Sequence, residues 1–158
     1  MSAASSLPRS GAMHDSVHRF PVRVYYEDTD AAGIVYYANY LKFAERARTE
    51  MMRLYGVEHE KMRQAGGTVF IVRRAEFEYR VPARLDDDLV VETRLREMGA
   101  ATILLAQDIL RDATTLVRAT VLIACVSAAG RPVRLPAALR TTLSSLNDNT
   151  RMVHAHAR

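Results

Sequence analysis

The stretch NYLKFAERARTEMMRLY, residues 39–55, decides the architecture of this chain. Its apolar side chains recur at helical spacing: Tyr40, Phe43, Ala44, Ala47, Met51, Leu54 and Tyr55 fall on one stripe. Lys42, Glu45, Arg46, Thr49, Glu50 and Arg53 take the other side. Gly56 follows as a helix stop. At 1.5 Å per residue the helix is roughly 26 Å long, enough to cross a whole small sheet.

Outward from the helix the periodicity changes. Before it, Val22-Arg-Val-Tyr-Tyr26 alternates and reads as a first strand, and residues 27–38 (EDTDAAGIVYYA) read as a loop with acidic residues at its start and Gly33 in its middle. After it, Val69 to Arg80 places Ala75, Phe77 and Tyr79 on one face, and Leu89 to Met98 alternates in the same way. Gly99 turns into Thr102–Arg111, and Asp112-Ala-Thr114 turns into Thr115–Ser127, which is apolar on both faces and therefore central. Short turns make these last three strands an antiparallel meander. The order strand, long helix, about four strands gives an α+β fold in which about five antiparallel strands cover one face of the helix. One helix covers only one sheet face, so a homo-oligomer is expected.

With 158 residues the natural reading is one domain, residues 19–145, between a disordered tail at 1–18 and a frayed tail at 146–158. The first 18 residues lack the apolar core of a secretory leader, no run of about 18 apolar residues would span a membrane, and Cys125 has no second cysteine to pair with. A cytoplasmic location is expected. The net charge of +4 comes from 20 Arg and 2 Lys against 18 acidic residues. The arginines are scattered and no nucleic-acid-binding pattern accompanies them, so no nucleic-acid partner is expected. A few guanidinium groups remain available to hold a phosphate-bearing ligand.

Several chemistries are excluded. There is no GxSxG elbow. Cys125 lies inside an apolar strand and reads as a buried structural thiol. His14, His18, His154 and His156 fall in the two tails, and no zinc-ligand spacing accompanies them or His59. Asp28, Asp30 and Gly33 fit an EF-hand start, but Ala32 and Asn39 stand where ligands 5 and 12 belong. Asp86-Asp87-Asp88 reads as a solvated turn. There remains the acidic loop Glu27-Asp28-Thr29-Asp30 ahead of the helix. Free N–H groups at a helix start stabilise negative charge, and a carboxylate beside them makes a workable hydrolase site. Acidic residues there are also commonly helix caps, the reading physics alone favours.

The segment VRVYYEDTDAAGIVYYANYLKFAERARTEMMRLYGV, residues 22–57, and FIVRRAEFEYRVPARLDDDL, residues 70–89, resemble the 4-hydroxybenzoyl-CoA thioesterase family, closest to its branch associated with the bacterial Tol-Pal system. The similarity covers about residues 20–135 and rests on D-x-D-x-x-G-x-x-Y/H-x-x-Y followed by E-R-A-R. It implies a hotdog fold, assembly into homodimers or homotetramers, and hydrolysis of an acyl-CoA thioester without a cofactor or metal, CoA being part of the substrate. The resemblance carries the catalytic aspartate to Asp30, the backbone oxyanion donor to Tyr37 and a site-lining tyrosine to Tyr26. The Tol-Pal branch usually has histidine where Tyr37 stands; the hydroxybenzoyl branch has tyrosine. Candidate cations for the CoA phosphates are Arg73, Arg74, Arg94 and Arg96, for which plain surface charge is the competing reading. Tyr26, Tyr36, Tyr37 and Tyr40 also read as packing aromatics, and Glu45, Arg46 and Arg48 as helix-surface charges. Competing functions are an acyl-carrier-protein thioesterase and a non-catalytic interaction protein attached to envelope or lipid-synthesis machinery.

Overall fold

The computed structural model describes residues 3–155, with side chains at 4 and over 6–146. Its elements in chain order are β1 (Ala12–His14), β2 (Val17–Arg23), α1 (Asn39–Leu54), α2 (His59–Gly66), β3 (Val69–Tyr79), β4 (Asp88–Met98), β5 (Thr102–Arg111), β6 (Thr114–Val126) and α3 (Ala137–Ala155). The strands form one antiparallel sheet in the order β1-β2-β4-β5-β6-β3. The meander β4-β5-β6 and the long helix lie where their periodicities predict. β6 sits between β5 and β3, as its apolar run demands. No helix of the described residues is long and apolar enough to cross a membrane.

Three expectations are corrected. The first is strand placement at the N-terminus: β2 ends at Arg23, and Tyr26 instead opens a short 3-10 turn, Tyr26–Asp28. Within residues 1–18, read as a disordered tail, Ala12–His14 pairs with Val17–Arg19 as a hairpin. Asp15 and Ser16 both have positive φ (46° and 63°), which makes a two-residue turn that matches strand twist. His18 is therefore not in a tail; it lies on β2, fully buried. The second correction is at the C-terminus, where α3 continues to Ala155, beyond the residue-146 boundary of the expected tail. Leu139, Leu143 and Leu146, three to four residues apart, pack its near end against Met51 and Met52. His156 lies outside the described residues. The third is the outer face of the sheet. Arg19, Glu92, Arg94, Asp108 and Arg118 form a band of ion pairs there: Arg19–Glu92, Arg94–Asp108 and Arg118–Asp108 cross between strands at 3.3 to 3.8 Å, and Glu92–Arg94 pairs within β4 at 2.6 Å. Arg118 belongs to β6, so only the far half of that strand is apolar on both sides.

α1 lies across the inner face. Tyr40, Phe43, Ala44, Ala47, Arg48, Met51 and Met52 are buried, a cleaner three-then-one spacing than the expected stripe, and Leu54 is exposed. The C-terminus closes as a Schellman motif: Gly56 N–H donates to the Arg53 carbonyl and Val57 N–H to that of Met52, with Gly56 at φ 77°. The core falls into two apolar clusters. One gathers Val22, Val24, Phe43, Leu89, Val91 and Ile109; the other Met51, Met52, Ile103, Leu105, Ile123 and Leu139. Between them Arg48 donates to Gln107 Oε1 (2.8 Å), and Gln107 Nε2 donates to Thr93 Oγ1 (3.0 Å) and the Ala44 carbonyl (3.1 Å).

His18 yields a pH prediction. Its Nε2 pairs with the Ser10 carbonyl at 2.9 Å, its Nδ1 has no partner, and burial lowers its pKa below the ordinary imidazole value. Below about pH 6.5 the unfolded chain takes up a proton that the folded chain resists. The stabilising contribution is thus complete above that pH and is lost as pH falls toward the depressed folded value. Melting temperature should drop between about pH 6.5 and 5, above the range where carboxylates titrate. His18→Gln should flatten that slope, measured by thermal melts across the interval.

Candidate active site

The chain leaves β2 at Arg23 and is fastened at once. Val24 exchanges backbone bonds with the Asp86-Asp87 turn: its N–H donates to the Asp87 carbonyl (3.0 Å), and Asp86 N–H donates to the Val24 carbonyl (3.0 Å). Asp86 sits at φ 66°. Asp87 Oδ2 accepts from Arg84 N–H (2.8 Å) and Arg111 (2.6 Å), and Arg23 pairs with Asp88 (2.9 Å). The three aspartates read as a solvated turn therefore hold the segment entering the site.

Asp28 and Asp30 have different tasks. Asp28 is buried; its Oδ2 accepts from Tyr25 N–H (2.8 Å), and its carbonyl accepts from Tyr36 N–H (2.9 Å) and Asn39 Nδ2 (2.8 Å). It is a loop organiser. Asp30 is exposed. Its Oδ1 accepts from Ala32 N–H (2.8 Å), its N–H donates to the Ile34 carbonyl and its carbonyl accepts from Gly33 N–H (both 2.9 Å). Among the described residues its Oδ2 has no donor. Gly33, at φ 74°, supplies the left-handed residue this turn needs. The Thr29–Val35 and Ile34–Arg84 bridges, with Val35 N–H donating to the Ala83 carbonyl (2.9 Å), clamp the loop shut.

The start of α1 carries no side-chain cap: Ala38 is its N-cap residue and neither aspartate's carboxylate bonds to the helix. The reading of these carboxylates as caps of the long helix therefore fails. Tyr37 N–H has no acceptor among the described residues, which leaves a donor free at the helix start. Its ring is 60% exposed, with centroids 5.0 Å from Tyr36 and 5.9 Å from Tyr79. The neighbouring Tyr37 hydroxyl raises the Tyr36 pKa, so Tyr36 stays neutral near physiological pH. Tyr40 is a packing residue: it is buried, its hydroxyl accepts from Ala83 N–H (2.9 Å), and burial raises its pKa. Tyr26 is 83% exposed and does not pack in the core.

The four predicted phosphate-binding arginines do not gather at this loop. Arg73 and Arg74 lie on edge strand β3 at a register shift, whereas Arg94 and Arg96 lie on β4, with β5 and β6 between. Arg94 is already paired with Glu92 and Asp108. Arg73, Arg74 and Arg96 are exposed, with no carboxylate at ion-pair distance among the described residues. Among those residues no group of three metal-ligating side chains occurs. Asn39, Tyr79 and the buried Arg48 were not anticipated in these roles.

A family description, the thioesterase-like superfamily, matches residues 24–143, which take in the clamped loop, α1 and the strands β3 to β6. The chain belongs to that superfamily. This thioesterase-like chain is 43% identical over 135 residues to the acyl-CoA thioesterase YbgC of Haemophilus influenzae, across 85% of its own length and 99% of that protein. It is 44% identical over 115 residues to the acyl-CoA thioester hydrolase YbgC of Escherichia coli O6:H1, across 72% and 85%. Among solved structures, the "Probable Thioesterase" of Bartonella henselae superposes with a TM-score of 0.73 at 37% identity, across 76% of this chain and 99% of that one. The antiparallel sheet with α1 laid across it is the hotdog arrangement of these thioesterase-like proteins.

Asp28 and Asp30 should separate cleanly in mutagenesis. Asp28→Ala orphans the Tyr25 N–H and should lower stability by about 1–3 kcal/mol, measured by urea denaturation. Asp30 has no buried partner to orphan, so Asp30→Ala should stay within about 0.5 kcal/mol of the parent.

Proposed function

We propose that this chain hydrolyses an acyl-CoA thioester to the free carboxylic acid and CoA, with Asp30 as nucleophile or general base and the Tyr37 N–H as oxyanion donor. The observation that carries this reading is the exposed Asp30 carboxylate, with one oxygen free, held on a clamped loop ahead of an uncapped helix start. Its similarity, at 43–44% identity, to an acyl-CoA thioesterase and an acyl-CoA thioester hydrolase supports it.

In the general-base form, Asp30 takes a proton from water and the resulting hydroxide adds to the thioester carbonyl carbon. The Tyr37 N–H stabilises the oxyanion, and the C–S bond breaks as the CoA thiolate leaves and collects the proton from Asp30. In the nucleophilic form, an Asp30 oxygen adds to the carbonyl carbon and the C–S bond breaks to release CoA thiolate and leave a mixed anhydride. Water then hydrolyses the anhydride, which frees the acid, restores the Asp30 carboxylate and supplies the proton the thiolate takes up. Neither form needs a cofactor. Tyr26 lines the approach to the loop. Arg73, Arg74 and Arg96 are the cations open to CoA phosphates; Arg94 must first release Glu92 and Asp108.

A homodimer or homotetramer belongs to the same reading. β3 is an uncovered edge with Ile71 and Val72 exposed, and Tyr25, Tyr26 and Tyr37 add apolar surface at the loop. A cytoplasmic location accords with the lone buried Cys125.

The test is thiol release from a panel of acyl-CoA thioesters of different length and aromaticity. Turnover of at least one member supports the assignment. No release from any would overturn it, and a pantetheinyl carrier-protein thioester run alongside identifies the alternative carrier.

A further inference from the structure

We infer that the Glu45–Arg48–Gln107 cluster is the end wall of the acyl site, the group that determines how long an acyl chain the enzyme accepts. The inference rests on the thioesterase reading and deepens it.

Its charge makes Arg48 read as a surface residue, yet only 7% of it is exposed. Its guanidinium is held from below by Gln107, which is fully buried and itself tied to Thr93 and the Ala44 carbonyl, and from above by the Glu45 carboxylate. A guanidinium anchored on two sides cannot swing away as a free arginine would.

Its position gives that rigidity a use. Two grooves open between α1 and β3. One, of about 440 Å³, has Leu41, Val72, Ala75, Phe77 and Val121 in its walls; the other, of about 560 Å³, has Met52, Phe70, Ile71 and Ile123. Arg48 and Glu45 line both. The first groove connects to the proposed reaction centre through ring contacts: Tyr37 lies edge-on to Tyr79 (5.9 Å), and Tyr79 stacks on Phe77 (6.2 Å). An acyl chain whose carbonyl sits at Tyr37 and which follows these rings would enter the first groove at Phe77 and run alongside Leu41 and Val72, with Lys42 and Arg46 at the rim. It then meets the ion pair.

Each methylene laid in the first groove should raise kcat/KM about fourfold, the value of one buried CH₂ group. The gain ends where further methylenes would displace water from a charged pair without replacing its hydrogen bonds. The second groove, whose walls add Arg53, Glu58, Glu60 and Arg63 to its apolar residues, stays closed to the chain.

The test is a series of straight-chain acyl-CoA substrates of increasing length on the full chain, with kcat/KM at each length. The wild type should rise and then level off. Arg48→Met combined with Gln107→Leu replaces the buried part of the wall by apolar groups, leaves only the solvent-exposed Glu45 carboxylate without its partner, and should raise the ratio of long-chain to plateau-length kcat/KM at least tenfold. Glu45→Ala, at a side chain 57% exposed, removes only the outer half and should shift the ratio several-fold in the same direction. A purely structural role would depress all lengths together and leave the ratio unmoved. That result in folded variants overturns the inference. No thiol release by the wild type at any length overturns the thioesterase reading instead.

Discussion

Asp30→Asn is expected to reduce thioester turnover by about 10²-fold or more while leaving the melting temperature near that of the parent. The substitution separates charge from shape. The amide keeps an oxygen where Oδ1 accepts the Ala32 N–H, so the Asp30–Gly33 turn survives. It loses the second, uncommitted oxygen as an anionic group, and that oxygen is what either mechanism uses. Thiol release with saturating acyl-CoA, paired with a thermal melt, makes the comparison. Near-parental turnover by the folded variant would remove Asp30 from the chemistry.

Tyr37→Pro is expected to cost a similar or greater factor, about 10²–10³, because it deletes a single N–H at the start of α1. Proline is tolerable there for the folded state: that N–H has no intramolecular acceptor among the described residues, and the position precedes the Ala38 cap, where no helical hydrogen bond is lost. Tyr37→His keeps the N–H and should stay within a few-fold of the parent; Tyr37→Ala isolates what the ring contributes by packing on Tyr36 and Tyr79. The decisive measurement is kcat with circular dichroism on the same samples. Full activity in a helical proline variant would mean that another donor holds the oxyanion.

How far the sequence could be read follows from which forces leave a periodic trace. The long helix and the meander were legible because burying one face imposes a repeat, and Gly56 marks the helix end for a steric reason. The N-terminal hairpin was not, because Asp15-Ser16 is an uncommon pair for a turn with two positive φ angles, and Ser-Gly-Ala composition masks a three-residue strand. Arg48 had a signal that charge obscured: it stands four residues after Ala44 and three before Met51, inside the apolar stripe. Asp30 was legible as a candidate through motif resemblance, but its difference from Asp28 lies in backbone geometry, since one carboxylate receives the Tyr25 N–H and the other receives only Ala32. The arginines could not be sorted from sequence at all. Arg94 differs from Arg96 only because Glu92 and Asp108 lie beside it on the outer face.

The buried polar row between the two core clusters also bears on how the chain finds one conformation. A helix resting on a sheet through aliphatic contacts alone can slide by a turn, about 5.4 Å, and still bury a comparable apolar area. Here such a slip would carry Arg48 away from Gln107 and leave a guanidinium and a carboxamide facing hydrocarbon, a penalty of several kcal/mol for the misaligned state. Gln107 and Thr93 act in that sense as a keyway for Arg48 and the Ala44 carbonyl, admitting α1 in a single alignment. Docking the helix in that alignment fixes where its first turn lies, and with it the distance between Tyr37 and the loop that carries Asp30.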